Sequence, residues 1–176
     1  MKRQYSHLIV AAIFSVCGGL THAEQYQSGV TSWQVKEGKL MLVAGVLTDN
    51  SRLYYLNYSL YLEEPDKALV MIPIVKDETR LHDYDLHFNT FNGGGEIISD
   101  AMVVVKGENT WFVTAHKKAM QGYGSPGSIT TQTYRLFHGG EVQWKYYFVP
   151  VARSEYTEQK NYTVERALSE TERTLH

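Results

Sequence analysis

RLYYLNYSLYL, Arg52 to Leu62, decides the architecture. Tyr54, Leu56, Tyr58, Leu60 and Leu62 fall on alternate positions, with Asn57 and Ser59 between them. Side chains of an extended chain point alternately to opposite faces, so this period of two is the mark of a half-buried strand. Immediately upstream, LMLVAGVLT (Leu40 to Thr48) is apolar on both alternating faces, which suits a central strand. Asp49-Asn50-Ser51 separates the two runs as a hairpin connection does.

The same grammar continues downstream. Leu69 to Val75, Tyr84 to Asn89, Met102 to Lys106, Thr110 to Ala115, Ile129 to Phe137 and Val142 to Val151 read as strands. Glu64-Pro65-Asp66, Gly107-Glu108-Asn109 and Gly139-Gly140 read as turns, and the pair Glu63-Glu64 as solubilising charge beside Pro65. Pro73 has no N–H to give a ladder and marks an edge or a bulge. The predicted fold is mainly β, an antiparallel β-sandwich or partly closed barrel. A C-terminal α-helix is expected near 163–173: Val164, Ala167, Leu168 and Leu175 are spaced helically, Thr163 stands at the N-cap, and Glu165 suits the first turn. Arg166, three residues after Thr163, cannot complete a capping box.

The N-terminus carries a different signal. Lys2 and Arg3 precede the apolar run LIVAAIFSVCGGL (Leu8 to Leu20), and Thr21-His22-Ala23 offers small residues for cleavage after Ala23. Residues 1–23 are expected to be a removed export signal and 24–176 a single β-rich domain in the periplasm. The run falls short of the roughly 20 residues a span requires, and no later stretch comes closer, so no membrane insertion is expected after cleavage. The lone cysteine, Cys17, lies inside the signal, which leaves the mature chain without thiol chemistry or a disulfide. Removing Lys2 and Arg3 from the 17 basic residues leaves 15 against 19 acidic ones, a balance with no bias towards nucleic acid.

Two stretches attract functional attention. In LHDYDLHFNTFNGGG (Leu81 to Gly95), an extended chain would set Asp83, Asp85 and His87 on one face, opposite Tyr84, Leu86 and Phe88. That offers part of a metal shell, or simply the solvated face of an amphipathic strand. Gly93 to Gly95 is followed by the strand-like EIISDAMVVV and so lacks the strand-to-helix setting of a phosphate loop. The second stretch, AHKKAMQGYGSPGS (Ala115 to Ser128), is long for a hairpin connection and carries His116, Lys117, Lys118 and Tyr123 among glycines. A small anionic ligand or an acidic protein could meet such a loop. Tyr55 and Tyr61, on the polar side of their strand, are further surface candidates.

Catalytic motifs are scarce. YGSPG has Tyr123 where a nucleophile elbow needs glycine, and Ser-x-x-Lys, His-Glu-x-x-His and His-x-His do not occur. No catalytic residue, metal ligand set or cofactor is therefore assigned.

LVMIPIVKDE, EIISDAMVVVKGENTWFVTAHKKAMQGYG, ITTQTYRLF and WKYYFVPVARSEYTEQKNYTVERALSE follow an order of strands, loop and helix that resembles the CarG-like family. These are periplasmic proteins associated with intrinsic carbapenem resistance in carbapenem-producing enterobacteria. The resemblance spans roughly two thirds of the mature chain. WQVKEGKLMLV stands where the family's pattern has an Asp/Asn/Gly-rich stretch, and GGGEIISD and KNYTVERA lack its cysteines. The resemblance implies an exported β-sandwich that protects its host without cleaving the antibiotic. Two alternatives stay open: an immunity protein or inhibitor that plugs a periplasmic toxin or enzyme, and a metal-dependent enzyme centred on Asp83, Asp85 and His87. A homodimer through a free strand edge also stays open.

Overall fold

The computed structural model describes residues 25–48, 53–93, 96–119, 125–139, 143–157 and 162–176. The export-signal expectation lies outside them. Twelve strands run β1 (Gly29–Val35), β2 (Gly38–Thr48), β3 (Leu53–Glu63), β4 (Leu69–Met71), β5 (Ile74–Val75), β6 (Tyr84–Asp85), β7 (Phe88–Asn89), β8 (Phe91–Gly93), β9 (Glu96–Lys106), β10 (Asn109–Ala119), β11 (Gly127–His138) and β12 (Tyr146–Tyr156), followed by helix α1 (Val164–Thr174). They form one sheet in the order β1-β2-β3-β8-β9-β10-β11-β12-β5-β6, with β4 and β7 also on β3. The sheet curls into a half-barrel, so the partly closed barrel is the architecture adopted.

Alternation in β3 produces the interior. Leu56, Tyr58, Leu60 and Leu62 are buried, and their register sets them among Leu40 and Leu42 of β2 and, across the barrel, Phe112 and Phe148. Each large apolar side chain so buried contributes ~2 kcal/mol. β9 and β10 are apolar on both faces because both are covered. Phe112 points into the barrel, whereas Trp111, Val113 and Ala115 meet Val164, Ala167 and Leu168 of α1 on the outside. The helix thus lies on the sheet. Thr163 caps it as expected, its hydroxyl accepting the Arg166 N–H at 3.3 Å. Lys106 Nζ donates to the carbonyls of Glu172 and Leu175 at the other helix end.

The segment around Pro73 closes the curl. β4 is paired antiparallel with β3, the Ile72 N–H still donates to Leu60 O, and then Pro73 O accepts the Phe148 N–H at 2.9 Å. Beyond it, β5 runs parallel to β12, with Ile74 opposite Phe148, where a wholly antiparallel arrangement was expected. A residue without an N–H therefore sits where the chain leaves one strand for the other.

Other strand expectations change too: β9 begins at Glu96 instead of Met102, and the last strand runs from Tyr146 to Tyr156 instead of from Val142 to Val151. Tyr84 to Asn89 is not one strand: β6 pairs with β5 and β7 with β3, separated by the exposed Leu86 and His87. Conversely, Thr110 to Ala115 extends to Ala119, so His116, Lys117 and Lys118 of the anticipated cationic loop lie in strand. No helix among the described residues is long and apolar enough to cross a membrane.

Candidate functional site

Asp83 and Asp85 do come together, but around a cation of the protein's own. Lys76 Nζ lies 3.2 Å from Asp83 Oδ1 and 3.4 Å from Asp85 Oδ1, and the Asp83 hydrogen bond, followed by the Asp85 charge, raises the lysine pKa. The ammonium thus neutralises the two carboxylates. His87 falls in the exposed break between β6 and β7, away from the strand face it was expected to share. Among the described residues no three His, Cys, Asp or Glu side chains form a group able to hold one ion.

The cationic loop is also rearranged. His116 and Lys118 are exposed, on the alternating face of β10 that carries Phe112. Lys117 is not a loop cation: it faces the other way in β10, opposite Ile129, is only 5% exposed, and is paired with Glu96. The reason is the strand period, which puts Lys117 on the helix-covered face with Val113 and Ala115. Tyr123 lies outside the described residues. Of the tyrosine candidates, Tyr55 is half-buried and stacks on Phe91 at 4.7 Å, and Tyr61 is half-buried beside Met41 in the register.

The most developed polar feature is at the opposite end of β10. Two tight turns meet there. Lys36-Glu37 joins β1 to β2, and Gly107-Glu108 joins β9 to β10, with Gly107 at φ 60° as a two-residue turn of type II′ requires. Gly38, at φ 150°, holds the first turn against β3: an added Cβ would lie 2.3 Å from Glu63 O. Between these turns and the end of β11 is a cleft of about 270 Å³, lined by Lys36, Glu37, Glu108, Asn109, Arg135 and His138. Lys36 Nζ bridges the turns to Glu108 Oε2 at 2.7 Å, which raises the lysine pKa and lowers that of the glutamate. Arg135 Nη2 donates to Asn109 Oδ1 at 2.7 Å.

A second cluster continues from the rim. The His138 ring stacks on Tyr146 at 4.8 Å, and Tyr146 OH donates to Glu64 Oε1 at 2.9 Å. Lys145 Nζ is 2.5 Å from the same oxygen and is the first cause of the lowered Glu64 pKa, ahead of Tyr146. Burial, then the Glu64 hydrogen bond, raises the pKa of Tyr146. Glu64 is thus no solubilising surface charge: it is 8% exposed, because β12 brings Lys145 and Tyr146 over it. The sequence shows these carboxylates but not their partners, which lie on strands far away along the chain.

No protein-family model matches the chain, and no curated protein matches it in sequence. Among solved structures, the crystal structure of CarG aligns with a TM-score of 0.65 over 83% of this chain and 92% of that one, at 13% identity. The fold is CarG-like. At that identity the likeness to CarG concerns the path of the chain, a curled sheet with a C-terminal helix, and carries no side-chain correspondence.

Proposed function

We propose that this chain is an exported, non-enzymatic protein that protects its host by binding, in the manner implied by the CarG-like resemblance, and that the charged end of the half-barrel is its ligand face. The observation carrying this reading is the CarG-like fold over 83% of this chain and 92% of the CarG chain. The cleft at the Lys36-Glu37 turn supplies a concave polar surface suited to binding.

The test is expression of the full chain in a carbapenem-susceptible enterobacterium. The expected result is a several-fold rise in the inhibitory concentration, with periplasmic extract leaving carbapenem absorbance unchanged. Unaltered susceptibility removes the protective role, and loss of absorbance removes its non-enzymatic character. N-terminal sequencing of periplasmic protein should begin at Glu24.

The second reading, a periplasmic inhibitor or immunity protein, is favoured by a different observation. Phe137 and Val151 are about half exposed, and Phe137 lines a depression with Tyr147 and Val149, edged by Glu78 and Thr79. An apolar strip of this kind suits a protein partner. It predicts that a toxin or enzyme encoded beside this chain forms a stable complex with it, which Phe137→Asp dissociates.

A further inference from the structure

The charges in the cleft balance in number but do not all pair. Lys36 and Glu108 neutralise each other across the two turns at 2.7 Å. That leaves one carboxylate, Glu37, and one guanidinium, Arg135, neither with an ionic partner among the described residues. Arg135 spends one of its N–H donors on the Asn109 carboxamide, which leaves the rest of its fork for an oxyanion. Glu37 Oε2 is shielded from solvent and accepts no hydrogen bond. Such an atom is costly unless something donates to it, and the terminal torsion of a glutamate is soft enough to turn either oxygen towards the cleft. Nor can the turn carrying Glu37 easily withdraw, since Gly38 seats it against the Glu63 carbonyl.

We infer that the cleft binds a small zwitterion of amino-acid chemistry, its ammonium on Glu37 and its carboxylate on Arg135. The size agrees: about 270 Å³ lies just below the range of drug-sized pockets and suits a free amino acid or a dipeptide. A simple amine would leave Arg135 unanswered, and a simple carboxylate would leave Glu37 so. This assignment rests on reading the charged end as the ligand face, but not on protection of the host.

The test is an amide-resolved NMR titration of the processed protein with L-alanine, L-alanyl-L-alanine, methylamine and acetate. The expected result is that the free amino acid or the dipeptide shifts the amides of Glu37, Glu108 and Arg135, and whichever binds more tightly identifies the source. Glu37→Gln and Arg135→Gln should each weaken that affinity by about tenfold or more, whereas Lys118→Gln, at the other end of β10, should not. Well-dispersed spectra of the variants exclude misfolding as the cause. The inference is overturned by no shifts at up to about 10 mM ligand, by affinities that neither cleft variant changes, or by methylamine binding as well as the zwitterions do. A protein that binds the dipeptide without altering susceptibility keeps this site and loses the protective role. One that raises resistance without binding loses this site alone.

Discussion

The Tyr58 hydroxyl on β3 donates to Asp100 Oδ1 on β9 at 3.1 Å, inside the barrel wall. The same carboxylate accepts the backbone N–H groups of Gln25 and Ala101, each at 2.7 Å, and so pins the chain ahead of β1. Burial nevertheless outweighs these bonds and raises the Asp100 pKa from 3.8 to about 6.

A carboxyl raised in the folded state stabilises the fold fully below its unfolded pKa, and that contribution is lost as pH climbs through the folded value. For Asp100 the window is pH 3.8 to about 6, and the shift corresponds to ~3 kcal/mol. Asn at this position does not titrate. Urea unfolding at pH 4 and pH 7.5 should therefore show the stability of the wild type relative to Asp100→Asn falling by ~2 kcal/mol or more as pH rises. A difference unchanged between the two pH values would mean that Asp100 does not titrate in this window.

Gly38→Ala should destabilise through the backbone and not through lost packing. Its φ of 150° disfavours any L side chain, and the new methyl would meet Glu63 O at 2.3 Å. A loss of ~2–3 kcal/mol is expected in urea unfolding, against ~0.5 kcal/mol or less for Gly45→Ala, where a Cβ has open space.

The Lys117–Glu96 pair predicts an asymmetry. Lys117 is 5% exposed and Glu96 27% exposed by side chain, so removing the glutamate strands the more deeply buried charge. Glu96→Gln should cost ~3 kcal/mol and Lys117→Met clearly less, because methionine fills the lysine stem's space and the partly exposed Glu96 side chain can turn its carboxylate towards solvent. Equal losses in thermal unfolding would contradict that ordering.

Thr163→Ala should lower stability by ~1 kcal/mol through loss of the helix cap, and Thr163→Asp should hold or improve it, since a carboxylate also suits the positive end of α1. Helical ellipticity followed through thermal unfolding reads both.

The fold was legible where burial is periodic. Leu56, Tyr58, Leu60 and Leu62 advertise β3 because one side of that strand is dry, and Val164, Ala167 and Leu168 advertise α1 for the same reason. β1 left a weaker trace: Thr31, Trp33 and Val35 turn inward in alternation, but the apolar Val30 faces outward and the polar Thr31 inward, so its letters do not follow its burial. Tyr84 to Asn89 misled because its alternation is real but its pairing changes midway, from β5 to β3. The candidate site was less legible still. Asp83 and Asp85 stand out by composition, whereas Lys76, which neutralises them, lies several residues earlier in an unremarkable setting. Glu37, Glu108 and Arg135 are ordinary surface letters until two turns and the last part of β11 bring them to one end of the barrel.

The crossing at Pro73 also sets an order of events. Ile74 waits for Phe148, a partner about half the chain away, and that single parallel contact joins β5 to the last strand. Hairpins β1-β2-β3 and β9-β10-β11 can zip from local contacts, but the seam cannot seal until β12 has been delivered. A chain shortened before Tyr146 would keep its hairpins and lose its closure. It would present the β12-facing edge of Pro73–Val75 and the outer edge of β11 as unpaired backbone, the hazard of aggregation in any unfinished barrel.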